Sequence, residues 1–266
     1  MRYLIQLSYD GSEFWGWQKQ AHGRTVQTVM EQVVEQFSGK PVAVVASGRT
    51  DTGVHATAQY AHFDYDGKME RAQMLKAFNR WLPDDVKVLR ITTVAPDFSA
   101  RYQAYERTYK YLLVRQRTPF NRLYTANVPW CKLHLAPMQE AAQRFLGSHN
   151  FSSFGRMNPE VPNHICDLQE CSISEDEGCF TFIVRADRFL HNMVRRMVGT
   201  LINISHFELP PDTIDKLFRD ECPRQNLVFT APAEGLYLID VKYPADLLDW
   251  NTGLKNLDSN EVNHEV

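Results

Sequence analysis

Twice along this chain the apolar period switches between strand-like and helix-like in the same order, and that order limits the possible folds more than any other feature. Tyr3, Ile5, Leu7 and Tyr9 alternate on one face and predict a strand over 2–9. Asp10-Gly11 marks a turn, and the polar, aromatic segment 12–24 predicts a loop, with Trp15 and Trp17 either anchoring it or stacking on a ligand. Thr25 is a plausible N-cap, and Val26, Val29, Met30, Val33, Val34 and Phe37 follow at helical spacing, with Gly39 as the stop. Strands are predicted over 42–46, 58–65 and 86–94, and a helix over 70–82 that ends at Pro83. The order is β-α-β-β-α-β, a ferredoxin-like split unit.

The second pass repeats it. A strand is predicted over 105–115, a helix over 137–147 with Met138, Ala141, Ala142 and Phe145 inward, and a strand pair over 166–174 and 179–186 joined by an acidic turn. A helix over 189–204 and a strand over 236–243 complete the set, with a short extra helix over 211–219. The expected architecture is α+β, with two ferredoxin-like halves, 1–104 and 105–244, side by side around a central cleft. The tail, 245–266, is expected to be disordered.

Net charge argues weakly against a nucleic-acid partner, and its distribution matters more. The net charge is −3, but the tail carries five acids against Lys255, a net of −4, so the body is −3 + 4 = +1. Six basic residues face only Glu106 between Arg101 and Arg122, with Tyr102, Tyr105, Tyr109, Tyr111 and Phe120 among them. That mixture suits phosphate contacts and base stacking, or equally a half-buried strand with one wet face. No apolar run is long enough for a bilayer, and the N-terminus lacks a signal-peptide pattern. Five unpaired cysteines without CxxC spacing argue against a zinc site or disulfide framework, which leaves a reduced, cytoplasmic setting. No cofactor or metal is called for.

Chemistry concentrates in Ala46 to Phe63, where Ser47, Gly48, Arg49, Thr50, Asp51, Thr52 and Gly53 form a small polar loop between two strands. Arg49 and Asp51 stand two apart, so an extended loop aims a cation and a carboxylate at one space. On its own this reads first as a surface ion pair on a hairpin, and only second as a site.

The longer string GRTDTGVHA, Gly48 to Ala56, resembles the signature of the tRNA pseudouridine synthase A family. YDGSEFWGWQKQ (9–20), DFSARY (97–102), ERTYKY (106–111), GSHNFSSF (147–154), FLHNMVRRMVGTL (189–201) and APAEGLYL (231–238) also resemble family blocks, in family order, across nearly the whole chain. The resemblance implies an isomerase that converts uridine to pseudouridine in the anticodon stem-loop of tRNA, at tRNA positions 38, 39 and 40. It also implies a homodimer and no membrane partner. It assigns Asp51 as the catalytic carboxylate, Arg195 as its pairing cation and Tyr109 as the active-site aromatic. Arg49 is expected to touch RNA phosphate or fill the gap left by a flipped base, and Arg196 to lie on the surface. Two routes stay open for Asp51: covalent attack at C1′, or removal of a proton from C2′. One departure stands out. Asp187-Arg188 puts charges beside the FLHNMVR block, which leaves RNA affinity there in question.

Two other classes compete. A non-catalytic RNA-binding module would leave Asp51 dispensable. A glycoside hydrolase would need a second carboxylate about 5–9.5 Å from Asp51, and the loop offers none.

Overall fold

The structure is a computed structural model that describes residues 1–156, 163–222, 226–248 and 250. Among the described residues ten strands and five α-helices follow one another, of which all but β6 and β7 belong to the predicted alternation: β1 (Arg2–Tyr9), α1 (Val26–Ser38), β2 (Val45–Ala46), β3 (His55–Asp64), α2 (Arg71–Trp81), β4 (Val86–Val94), β5 (Glu106–Val114), β6 (Ala126–Asn127), α3 (Leu135–Gln143), β7 (Gly147–Asn150), β8 (Ile165–Asp176), β9 (Cys179–Ala186), α4 (Met193–His206), α5 (Thr213–Asp220) and β10 (Leu236–Lys242). Among the described residues no helix is long and apolar enough to cross a membrane.

Both halves close into one continuous sheet, ordered β4-β1-β3-β10-β5-β9-β8-β7, with β2 on β3 and β6 on β5. Within each half the strand order is that of a ferredoxin-like unit: β4-β1-β3-β2, then β10-β5-β9-β8. The join is a parallel pairing of β3 with β10 over only two positions, Tyr237↔His55 and Leu238↔Ala56. Each half has its own core. Leu4, Ile5, Met30, Val34, Phe63 and Phe78 are among the buried side chains of the first. Tyr111, Phe145, Phe154, Phe182 and Met197 are among those of the second. The seam mixes them: Val54 packs in the second core, while Leu238, Val241 and Tyr243 of the last segment pack in the first.

Helix ends follow local chemistry. Thr25 Oγ1 accepts the Thr28 N–H at 3.3 Å, and Gly39, at φ +72°, closes α1 by donating to Glu35 O. Glu70 N–H donates to the Gln73 side chain at 3.1 Å at the start of α2. Pro137 sits in the first turn of α3, where its missing N–H has no partner to lose. In the β8–β9 hairpin Glu177 (φ +47°) and Gly178 (φ +78°) take the left-handed pair of a tight turn.

Several boundaries differ from expectation, each for a tertiary reason. The strand predicted over 42–46 shrinks to two residues. The Val44 N–H donates to Glu31 and its carbonyl accepts from Gln27, so α1 side chains replace ladder partners. β3 starts at His55 rather than 58 because β10 pairs there. The helix predicted from 189 begins at Met193, since Asn192 is left-handed at φ +61°. The expected disorder of 245–266 is corrected at its start. Leu247, Leu248 and Trp250 pack on the first core, and Arg90 lies 4.5 Å from the Trp250 ring centroid. Residues 249 and 251–266 lie outside the described residues.

Candidate active site

The loop before β3 is held from below by a buried polar network. Ser47 Oγ donates to Gln59 Oε1 at 2.6 Å, and Gln59 Nε2 donates to Gly48 O at 3.0 Å. The Tyr9 hydroxyl and Thr50 Oγ1 share a hydrogen bond of 2.8 Å, and burial pushes the Tyr9 phenol up to about 12, so it stays protonated. The 12–24 loop holds it from the side. Trp17 N–H donates to Thr50 O at 3.1 Å, and Gly53 N–H donates to Phe14 O at 3.2 Å. At Gly16 a Cβ would lie 2.6 Å from Thr50 O, and φ there is +85°, so only glycine permits this approach. Of the two tryptophans, Trp17 is the buried anchor and Trp15 is exposed.

Asp51 therefore projects from a rigid loop. Its side chain is 19% exposed and meets two groups of the second half, His191 Nε2 at 3.0 Å from Oδ1 and Arg195 Nη1 at 3.6 Å from Oδ2. Among the described residues these two contacts are the carboxylate's polar neighbours, and its own loop donates no hydrogen bond to it. Arg195 is itself pinned: its Nε donates to Ala231 O at 2.7 Å, its Nη1 donates to Asn192 Oδ1 at 3.2 Å, and Ala231 N–H returns a bond to Arg195 O. The tight 231–235 segment is fixed in turn by the Tyr111 hydroxyl, which donates to Pro232 O at 2.9 Å.

Tyr109, on β5, stands partly buried with its ring edge-to-face on Phe189 at 5.1 Å. Burial raises its pKa well above the usual phenol value, and the charge of Asp51 adds to the rise, so it is a neutral phenol. Arg49 does not join this group. It is exposed, and among the described residues it makes no ion pair, so the two-apart spacing does not bring it onto Asp51.

Arg107 and His191 escaped the sequence reading. Arg107 donates to four main-chain carbonyls: Ala104 at 2.7 Å, Asp187 and Arg101 at 2.8 Å, and Ser47 at 3.2 Å. It thus ties the start of the Asp51 loop to the segment that leads into α4, across the seam. The basic-aromatic run from 101 to 122 divides accordingly. Arg107 is consumed inside, Arg115 pairs with Glu175 and Arg117 with Glu234, while Tyr102, Tyr105 and Phe120 are exposed. Arg196 is not a surface arginine as expected. It is half-buried, and its Nη1 donates to Gly155 O at 2.6 Å. The odd Asp187 is also engaged, since its Oδ1 accepts the N–H groups of Asp167 and Arg188 at 2.9 and 2.7 Å.

Two buried histidines flank the loop. His55 is 2% exposed, accepts the Gly11 N–H at Nδ1 (3.0 Å) and faces Leu123 O with Nε2 (3.0 Å). His62 accepts the Ala100 N–H at Nδ1. Burial lowers both pKa values, with the nearby Asp10 only partly opposing it at His55. The unfolded chain thus binds these protons more readily, and stability falls as pH drops below about 6.5, by at most about 1.4 kcal/mol per pH unit for each histidine. Melting temperatures between pH 8 and 5 are expected to fall less steeply in His55→Gln than in the parent protein, and parallel curves refute this.

A family model described as tRNA pseudouridine synthase matches residues 6–103 and 141–244. The tRNA pseudouridine synthase A of Bacteroides thetaiotaomicron (strain VPI-5482) is 37% identical over 256 residues, covering 94% of each chain. That of Staphylococcus aureus (strain MRSA252) is 39% identical over 240 residues, covering 90% of each. Among solved structures, a chain from a Cbf5-Nop10-Gar1 complex matches at a TM-score of 0.41 with 10% identity, covering 90% of this chain and 48% of that one, a likeness too loose to bear on the chemistry. Two matched segments on either side of the Asp51 seam, and full-length relatives well above 30% identity, lead to one conclusion: the chain belongs to the tRNA pseudouridine synthase family.

Proposed function

We propose that this protein isomerises uridine to pseudouridine in the anticodon stem-loop of tRNA, at positions 38, 39 and 40, with Asp51 as the reacting carboxylate. One observation carries the reading. Residues 144 apart in sequence, Asp51 and Arg195, meet across the seam of the sheet, so the fold holds one partly buried carboxylate beside a fixed cation. The reaction detaches uracil from C1′, turns it, and reattaches it through C5. It needs no redox change. Asp51 serves by attack at C1′ or by taking the C2′ proton. Arg195 faces its Oδ2 with a fixed positive charge.

The target base must leave its stack to reach Asp51, at a cost of a few kcal/mol. Tyr109, neutral and backed by Phe189, offers a face for the loose uracil and a protonated hydroxyl able to donate near C5. Arg49, exposed on the same loop, is the cation proposed to meet phosphate or fill the vacated stack. The family reading extends to a cytoplasmic homodimer in which one subunit helps hold the tRNA bound at the other's site.

Release of tritium from C5 of 5-tritiated uridine in an unmodified tRNA transcript tests the function, because isomerisation replaces the C5–H bond with the glycosidic bond. Release into water without added metal or nucleotide is the expected result. Binding without release supports the non-catalytic RNA module instead.

A further inference from the structure

The two groups against Asp51 differ in kind. Arg195 is 17% exposed and bonded to Ala231 O and Asn192 Oδ1 as well as facing the carboxylate. His191 is 48% exposed, and its imidazole has no polar partner but Asp51 among the described residues. Both come from one short segment. Asn192, left-handed at φ +61°, turns the main chain between them, so His191 precedes the helix and meets Oδ1 while Arg195, in its first turn, meets Oδ2. The Arg156 N–H donates to His191 O at 2.9 Å and fixes the main chain at this point.

A carboxylate needs such a pair. Its terminal torsion is broad and roughly two-fold, so packing alone does not choose the plane of its oxygens. No group of its own loop donates to Asp51 to choose for it, and the imidazole contact, at 3.0 Å, is closer than the guanidinium contact, at 3.6 Å. We propose that His191 is a positioning residue for Asp51: it holds Oδ1 and sets the carboxylate plane, while Arg195 holds the charge at Oδ2. The role needs only a proton on Nε2, which either the neutral or the charged imidazole can carry. The inference rests on the reading of Asp51 as the reacting group.

The test compares kcat, KM and tRNA affinity, by tritium release and filter binding, for the parent protein and for His191→Ala, His191→Phe and His191→Gln. Misplacing a reacting group by about 1 Å costs up to ~100-fold, and Arg195 remains, so kcat is expected to fall about tenfold in the Ala and Phe variants. Affinity for tRNA stays within about twofold, and melting temperature is unchanged because the side chain is half-exposed and packs in neither core. His191→Gln, whose amide N–H reaches the same oxygen, recovers most of kcat. Unaltered kcat in His191→Ala, a Gln variant no better than Ala, or a loss confined to KM and affinity overturns the positioning role. A parent protein that releases no tritium overturns the uridine reading itself, and the role falls with it.

Discussion

Asp51→Asn is expected to abolish tritium release, by about 10⁴-fold or more, while tRNA still binds. The substitution is nearly isosteric and sits on a loop held by other groups: Gln59 on Gly48 and Ser47, Tyr9 on Thr50, and the main-chain bonds from Trp17 and Gly53. The Asp51 carboxylate contributes no hydrogen bond to that scaffold, so the loop does not collapse when its charge is removed. What disappears is the nucleophile or base, since an amide serves as neither. Initial rates and filter binding on the same preparation separate the outcomes. Loss of binding together with rate assigns Asp51 to the scaffold. An unchanged rate returns the protein to the class of RNA-binding modules.

Arg195→Ala is expected to lower kcat by about 100-fold, with a smaller effect on KM. Three things change at once. Asp51 loses the cation at Oδ2, Ala231 O loses its 2.7 Å donor, and Asn192 loses the partner that fixes its side chain. The first disorders the reacting group, and the second loosens the 231–235 segment beside it. Arg195→Lys retains the charge but not the planar fork that reaches Ala231 and Asp51 together, so its rate is expected between the two. Near-parental kcat in Arg195→Ala removes this residue from the site. His191 prevents a total loss, since one arm against Asp51 remains.

Most of the fold was readable because the period of the apolar residues survives packing. β1, β4, β9 and β10 fall within a residue of their predicted bounds, and Met138, Ala141 and Ala142 of α3 are buried as expected, as is Phe145 just beyond its end. Misreadings cluster where a residue's partner lies far away in the chain. Val44 looks like a strand residue until Gln27 and Glu31 take its main-chain groups. β7 pairs only because β8 offers an edge, and its four residues, Gly147–Asn150, have no alternation to announce them.

The candidate site shows the same division. Asp51, Tyr109 and Arg195 were recognisable as motif residues, and Arg49 as a cation of the same loop, while the two-apart spacing did not show that Arg49 is exposed and makes no ion pair with Asp51 among the described residues. His191 carried a weak signal, a histidine four residues before Arg195, which becomes a contact only because Asn192 turns the chain. Arg107 carried none, since a basic residue on an amphipathic strand reads as a wet face until four carbonyls close around it.

The sequence by itself determined the two β-α-β-β-α-β units, the loop chemistry around Asp51 and the family, because periodicity and motifs are local properties of the chain. Contacts between distant parts of the chain settle that the halves share one sheet, that His191 and Arg195 divide the oxygens of Asp51, and that Arg107 binds the seam from within. Those outcomes depend on which distant main-chain groups need partners once water is excluded, and no local pattern encodes that.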